Sequence, residues 1–208
     1  MNNPSPGADL ARWNQRYAQD EFVFGTEPNE WLRQQSSIWE AGDCILSVAD
    51  GEGRNSVWLA GQGLIVDAFD PSEVGVAKAR RLAAHRGVHV NFDVADCDNF
   101  SWRESAYDGV AAIFVQFADP VLRARLFRKI GSCLKPGGTL ILQGYTLKQL
   151  EFRTGGPSAL SHLYDRELLL SAFREMDILT MKEYEAEVDE GAGHSGLSAL
   201  VGLVARKK

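Results

Sequence analysis

The sequence is poor in cysteine: Cys44, Cys97 and Cys133 stand far apart in apolar surroundings, and no CxxC pair occurs. Such spacing offers neither a disulfide framework nor a zinc site, and the three read as reduced core thiols of a cytoplasmic protein, with no metal expected. No apolar run approaches the roughly 20 residues that a membrane-spanning helix requires. The opening MNNPSPGADL lacks the charged-then-apolar order of a secretory signal. Basic residues are also short, 22 against 28 acidic, for a net charge of −6 and a pI of about 5.3. That balance argues against nucleic acid and anionic membranes as partners and leaves a small-molecule substrate. Low-complexity tracts, internal repeats and domain linkers are missing as well. The sequence does not separate a monomer from a homodimer.

What is present is a core-forming composition, 45% hydrophobic over 208 residues, which suits a single domain spanning 1–208. Apolar strand-like runs alternate with helical patterns from Cys44 onward. Strand one ends at Ala49, and strand two runs from Leu64 to Asp70. A helix follows over Ser72–Arg86, with Val76, Ala79 and Ala83 inside and Lys78, Arg81 and Arg86 outside. Val88–Val94 and Gly109–Phe117 read as strands three and four, Pro120–Leu134 as a helix, and Thr139–Gly144 as strand five after a Lys-Pro-Gly-Gly turn. Such alternation predicts an α/β fold, a doubly wound, mostly parallel sheet covered on both faces.

The two ends differ from this middle. Residues 147–163 form a long Gly/Pro-containing loop, a candidate functional segment. Asp165 can cap a helix to Phe173, with Tyr164 and Leu169 as its hydrophobic staple. Ile178–Val188 and Leu197–Arg206, joined by EGAGHSG, read as an antiparallel hairpin that brings the sheet to about seven strands. At the other end, residues 1–42 form a helical and aromatic cover ahead of a core over 43–208. It has a loose tail over 1–7, a helix over Ala8–Asp20 presenting Trp13 and Tyr17, and a second helix opened by Pro28 and carrying Trp31, Leu32 and Ile38.

The chemistry concentrates where strand one meets Asp50-Gly51-Glu52-Gly53-Arg54-Asn55-Ser56, a GxGxxS turn. Glycine permits positive φ and close approach of a ligand to the backbone, and the helix start that follows favours an anionic group. Asp70, 19 residues after Gly51 at the end of strand two, can accept both hydroxyls of a ribose. Asp96 lies just past strand three, where a carboxylate can read an adenine edge. Asp70 can equally serve as a cap before Pro71-Ser72, and Asp96 as a turn residue.

LSVADGEGRN, DAFDPS, VADCDNF and LKPGGTLIL, with the closing hairpin, resemble the class I S-adenosylmethionine-dependent methyltransferases over nearly the whole chain. That resemblance implies a Rossmann-like sheet, S-adenosyl-L-methionine as cofactor and S-adenosyl-L-homocysteine as product. It implies cofactor contacts from Trp13, Ala49, Asp50, Gly51, Glu52, Gly53, Asn55, Asp70, Pro71, Asp96, Cys97 and Phe114. More narrowly, WNQRY…FVFGTEPNEWL and QGYTLKQL…TGGP…GHSGLSALV are similar to small bacterial methyltransferases of the tellurite-resistance and thiopurine type. By that resemblance Trp13, Arg16, Tyr17 and Phe24 fold over the methionine end of the cofactor, where aromatic faces attract a cation. Two positions depart from the family pattern: Ser47 stands where an Asp is usual, and Ala49 where the first motif glycine is usual. Asp50 or Glu52 can then take the contact to the cofactor's ammonium group.

Methyl transfer needs alignment more than a catalytic constellation, and a base only where the acceptor must lose a proton. Tyr145 and His194 are the candidate proton carriers, with Phe114, Gln116, Gln143 and Thr154–Pro157 as further candidates for the acceptor pocket. Arg54 either meets the cofactor carboxylate or faces solvent, and His85, His89 and His162 read as surface. The expected activity is methyl transfer to a thiol or a chalcogen oxyanion such as tellurite. The alternatives are an NAD-type oxidoreductase, which the long preface and the lack of a second domain disfavour, and a non-catalytic S-adenosylmethionine-binding protein.

Overall fold

The computed structural model describes residues 6–191 and 193–208, the side chains of residues 6–9 excepted. The first five residues of the expected tail therefore lie outside the described residues. Seven strands form one sheet in the order β3-β2-β1-β4-β5-β7-β6. They are β1 (Cys44–Val48), β2 (Ile65–Asp70), β3 (Asn91–Val94), β4 (Tyr107–Ile113), β5 (Leu134–Tyr145), β6 (Met176–Asp189) and β7 (Ser195–Lys207). β1 to β5 pair in parallel, while β7 runs antiparallel to both β5 and β6. The chain winds outward from β1 through β2 to β3 and then returns to β4 on the other side of β1. That reversal opens a crevice at the carboxyl ends of β1 and β4, where open α/β sheets bind their ligands.

Alternation along the strands separates two apolar layers. Leu46, Val48, Val110, Ala112, Leu140 and Leu142 face Leu126 and Ile130 of α5 (Pro120–Cys133) and Leu169 of α7 (Arg166–Ala172). Ile45, Val66, Ala68, Ala111 and Ile141 face Leu32 of α2 (Glu30–Gln35), Leu59 of α3 (Arg54–Gly61) and Leu82 of α4 (Glu73–Arg86). Local signals set the helix ends. Asp119 accepts from the Val121 and Leu122 N–H groups ahead of α5, Ser72 accepts from Gly75 N–H ahead of α4, and Asp165 accepts from Leu168 N–H ahead of α7. Among the described residues no helix is long and apolar enough to cross a membrane.

Several boundaries differ from the sequence expectation. β4 stops at Ile113 because Phe114 turns to φ +55°, so the expected strand over 114–117 is a loop. β3 is confined to Asn91–Val94, and β5 begins at Leu134 through its pairing with Tyr107. Pro28 precedes the cap rather than opening the helix: the Asn29 side chain accepts from Leu32 N–H and caps α2, which ends before a 3₁₀ turn over Ser36–Ile38. The loop after β5 contains α6 (Gln149–Phe152) and a second 3₁₀ turn over Leu160–His162. Lys78, expected on the outer face of its helix, is 1% exposed. The first helix, α1 (Pro6–Tyr17), packs on α4 and returns the chain toward the crevice.

Candidate active site

β1 delivers Ala49 to the crevice with φ +50°, followed by Gly51 at +61° and Gly53 at +91°. Gly53 is dictated twice, since a Cβ there would lie 2.6 Å from Ala79 Cβ as well as requiring a left-handed backbone. Ala49 adopts the conformation that suits glycine, with the strain an L side chain adds there.

The acidic groups of the turn are engaged within the protein. Asp50 accepts from the Ser47 hydroxyl at 2.7 Å, from Ser56 N–H and from the Ser56 hydroxyl, and burial raises its carboxyl above the usual range. Ser47 thus supports Asp50 from the position where the family pattern has an acid. Glu52 is 3% exposed: one oxygen pairs with Lys78 Nζ at 2.6 Å, and the other accepts from Val23 N–H at 2.8 Å. Lys78 also donates to the carbonyls of Gln19 and Glu21. Lys78 is buried because it serves the carbonyls of the incoming N-terminal segment, and Glu52 is turned toward that segment rather than presented free in the crevice. Asn55 is turned the same way, its side-chain oxygen accepting from Asn29 N–H at 2.9 Å.

Asp70, the last residue of β2, spans the turn: its carboxylate accepts from Gly51 N–H and Ser72 N–H, each at 2.9 Å. Burial raises its carboxyl to about 6, despite those two bonds. Asp70 therefore ties the glycine turn to the α4 start while retaining lone pairs for a further donor. Asp96 is exposed and holds a local turn by accepting from Asp98 N–H, Asn99 N–H and the Asn99 side chain. Pro71 is half-buried beside Asp70. Cys97 is buried, its carbonyl taken by Trp102 and Lys129, and burial lifts its thiol to about 12.

Across the crevice lies a run of rings. Trp13 and Tyr17 stack at 5.5 Å, Phe24 lies 6.3 Å from Trp13, and His194 lies 4.5 Å from Phe24 and 4.4 Å from Phe114. Phe114 in turn packs at 4.8 Å on Tyr145. Tyr17 seals the inner end: a Cβ on Gly51 would lie 2.9 Å from its hydroxyl, and burial with the Asp70 charge raises that hydroxyl's pKa. The Arg16 guanidinium lies over both Trp13 and Phe24. Tyr145 is 1% exposed, and burial raises its hydroxyl far above its ordinary value, which makes it a donor rather than a base.

Arg54 resolves against solvent exposure: it is 6% exposed, and its Nη2 pairs with Glu190 at 2.6 Å. Its Nη1 is buried and has no hydrogen bond among the described residues. Gln116 and Gln143, placed by sequence near the acceptor, are buried connectors. Gln116 exchanges bonds with the Tyr145 backbone, and Gln143 bridges Asn29 and Tyr184. Thr154 bonds the Leu197 carbonyl, so the loop after β5 lies against the hairpin. His85 and His89 are exposed, whereas His162 is half-buried with Nδ1 2.9 Å from the Gln116 carbonyl. Sequence reasoning missed Asn29, Lys78 and Glu190. Only Lys78 carried a usable signal, the i, i+4, i+7 spacing of Gly75, Ala79 and Leu82 with which it shares a helix face.

Residues 45–138 match the sequence model of the methyltransferase domain family. The match spans the glycine turn, Asp70 and Asp96, within slightly less than half of the chain. Three solved structures share its fold. One, from work on the conversion of a disulfide bond into a thioacetal group during echinomycin biosynthesis, has a TM-score of 0.77 at 15% identity, over 97% of this chain and 92% of that one. The N-methyltransferase NodS from Bradyrhizobium japonicum WM9, in complex with S-adenosyl-L-homocysteine, gives 0.72 at 14% identity over 95% and 97%. TehB from Haemophilus influenzae gives 0.68 at 18% identity over 86% of this chain and 62% of that one. The match favours methyl transfer over the oxidoreductase alternative, and the cofactor such a domain implies is S-adenosylmethionine.

The residues at the crevice fit that cofactor chemically. A buried carboxylate with spare lone pairs suits a diol, the ring cluster suits a sulfonium, and a buried guanidinium with one free nitrogen suits a carboxylate.

Proposed function

We propose that this protein is an S-adenosylmethionine-dependent methyltransferase that transfers a methyl group to a small-molecule acceptor, a thiol or a chalcogen oxyanion, bound among Phe24, Phe114, Tyr145 and His194. The observation that carries the reading is the meeting of this ring cluster with the left-handed turn and Asp70 at one switch point of the sheet. When bound, S-adenosylmethionine supplies an electrophilic methyl on sulfur. Asp70 would accept from the ribose hydroxyls, Pro71, Asp96 and Cys97 would border the adenine, and Ala49, Gly51 and Gly53 would let the backbone approach. Trp13 and Phe24 would cover the cation and keep water from it. Since Asp50 and Glu52 are engaged internally, the ammonium contact would fall on the backbone of the turn itself.

The residues before β1 act as the cover of a single domain whose core begins at Asp43, in a cytoplasmic protein. An acceptor that must lose a proton gives it to His194, which burial holds toward its neutral form, whereas an oxyanion or thiolate requires only alignment. One structure of the same fold is named for the conversion of a disulfide bond into a thioacetal, which is in keeping with a sulfur acceptor. The test is production of S-adenosylhomocysteine across a panel of thiols, selenite, tellurite, thiopurines, amines and carboxylates. Turnover restricted to amines or carboxylates would overturn the acceptor assignment.

A further inference from the structure

We infer that Glu190, at the tip of the β6–β7 hairpin, is a positioning residue that orients the His194 imidazole toward the ring cluster and holds Arg54 beside it. The inference rests on the reading that His194 borders the acceptor. Glu190 was no part of the sequence motifs, yet its carboxylate meets four residues from three parts of the protein. One oxygen lies 2.6 Å from Arg54 Nη2 of α3 and 3.7 Å from His194 Nδ1. The other accepts from Asn29 Nδ2 at 2.8 Å, next to the Glu30 N–H at the start of α2. Only 12% of the side chain is exposed.

The backbone leaves this carboxylate little freedom. Glu190 N–H donates to the His194 carbonyl at 2.8 Å, His194 N–H donates to the Gly191 carbonyl, and Gly193 N–H donates to the Val23 carbonyl at 2.9 Å. Gly193 admits this closure, since a Cβ there would lie 2.3 Å from a carbon of the Phe24 ring. The tip is therefore fastened to the N-terminal cover on one side and to the glycine-turn helix on the other.

An ion pair that served folding alone would need Arg54 and nothing more. Here the same oxygen faces the one histidine that contacts Phe24, Phe114 and Tyr145. With Nδ1 toward Glu190, Nε2 is turned to the opposite side of the ring. At 3.7 Å the contact is electrostatic, and the buried Nδ1 has no hydrogen bond among the described residues; a carboxylate at this range draws the ring's positive edge toward it and favours the protonated form. The charged and titratable groups facing His194 are Arg16 from α1, Arg54 from α3, Tyr145 from β5 and Glu190 from its own hairpin. Burial and the two arginines disfavour the imidazolium, and Glu190 is the anion that opposes them. Burial would lift the Glu190 carboxyl, but His194 and Arg54 outweigh it and hold it at about 2, so it stays ionised across the working range.

The experiment is an NMR titration of the histidine ring resonances in the full chain, comparing wild type with Glu190→Gln and Glu190→Asp. His194 is expected to titrate about one pH unit lower in Glu190→Gln, since an opposite charge at this range shifts a group by about 1–3 units. Glu190→Asp retains the charge and should restore most of the difference. If Glu190→Gln does not fold, Glu190→Asp carries the test, with a smaller downward shift expected from withdrawal of its carboxylate. An unmoved His194 midpoint in folded Glu190→Gln overturns the inference, as does an unmoved midpoint in Glu190→Asp where only that variant folds. Isothermal titration of the wild type with S-adenosylhomocysteine is run alongside. Failure to bind there overturns the site reading, whereas the His194 titration decides the Glu190 inference alone.

Discussion

Replacing Lys78 by methionine removes one charge from a pair whose side chains are each 2% exposed. The ammonium also leaves two backbone carbonyls, those of Gln19 and Glu21, without their donor. Glu52 would then remain buried with only the Val23 and Phe24 N–H groups as partners. Breaking a buried pair from one side typically costs about 3–5 kcal/mol, because the remaining charge keeps its desolvation penalty. For a chain of this size 1 kcal/mol corresponds to about 2–4 °C, so the melting temperature should fall by roughly 6–20 °C. Lys78→Met combined with Glu52→Gln removes both charges and should recover a large part of that loss. Thermal unfolding followed by circular dichroism, with calorimetry on the same samples, provides the measurement. A fall of less than about 3 °C in the single variant, or strictly additive losses in the double one, would refute the claim that this pair anchors the cover.

Asp70 gives a pH dependence. Ribose hydroxyls donate to its ionised form, so S-adenosylhomocysteine should bind at full strength above pH 7 and weaken as pH falls through the carboxyl's value of about 6. About a tenfold loss is expected at pH 5 by titration calorimetry, and Asp70→Ala should lose at least about tenfold at pH 7.5. Ala49→Gly should be neutral or raise the melting temperature by about 1–3 °C, because relief of the left-handed alanine offsets the added chain entropy. Ala84→Gly, on the exposed face of α4, should instead cost about 1 kcal/mol, and equal losses at the two positions would contradict the strain assigned to Ala49.

The features readable in the sequence were those written in local periodicity. The βαβ alternation, the glycine turn, Asp70 at the end of β2 and the closing hairpin each announce themselves within a few residues, and the sheet bears them out. The distant partners of charged residues were not readable. The helix face that Lys78 shares with Gly75, Ala79 and Leu82 hints at its burial, but nothing near it points to the carbonyls of Gln19 and Glu21, nearly sixty positions earlier. Glu190 is one acid in a turn, and its partners Arg54 and Asn29 lie 136 and 161 residues away. Phe114 shows the same limit: an apolar run predicts that the strand continues, while tertiary packing turns it into the crevice at φ +55°.

The central claim is that the crevice between the ends of β1 and β4 receives an S-adenosyl nucleoside beneath the aromatic cover. Isothermal titration of the purified chain with S-adenosylmethionine, S-adenosylhomocysteine and NAD addresses it directly. Saturable binding of both S-adenosyl compounds, with none of NAD, is the predicted result. Tight binding of NAD with no heat from either S-adenosyl compound would contradict it.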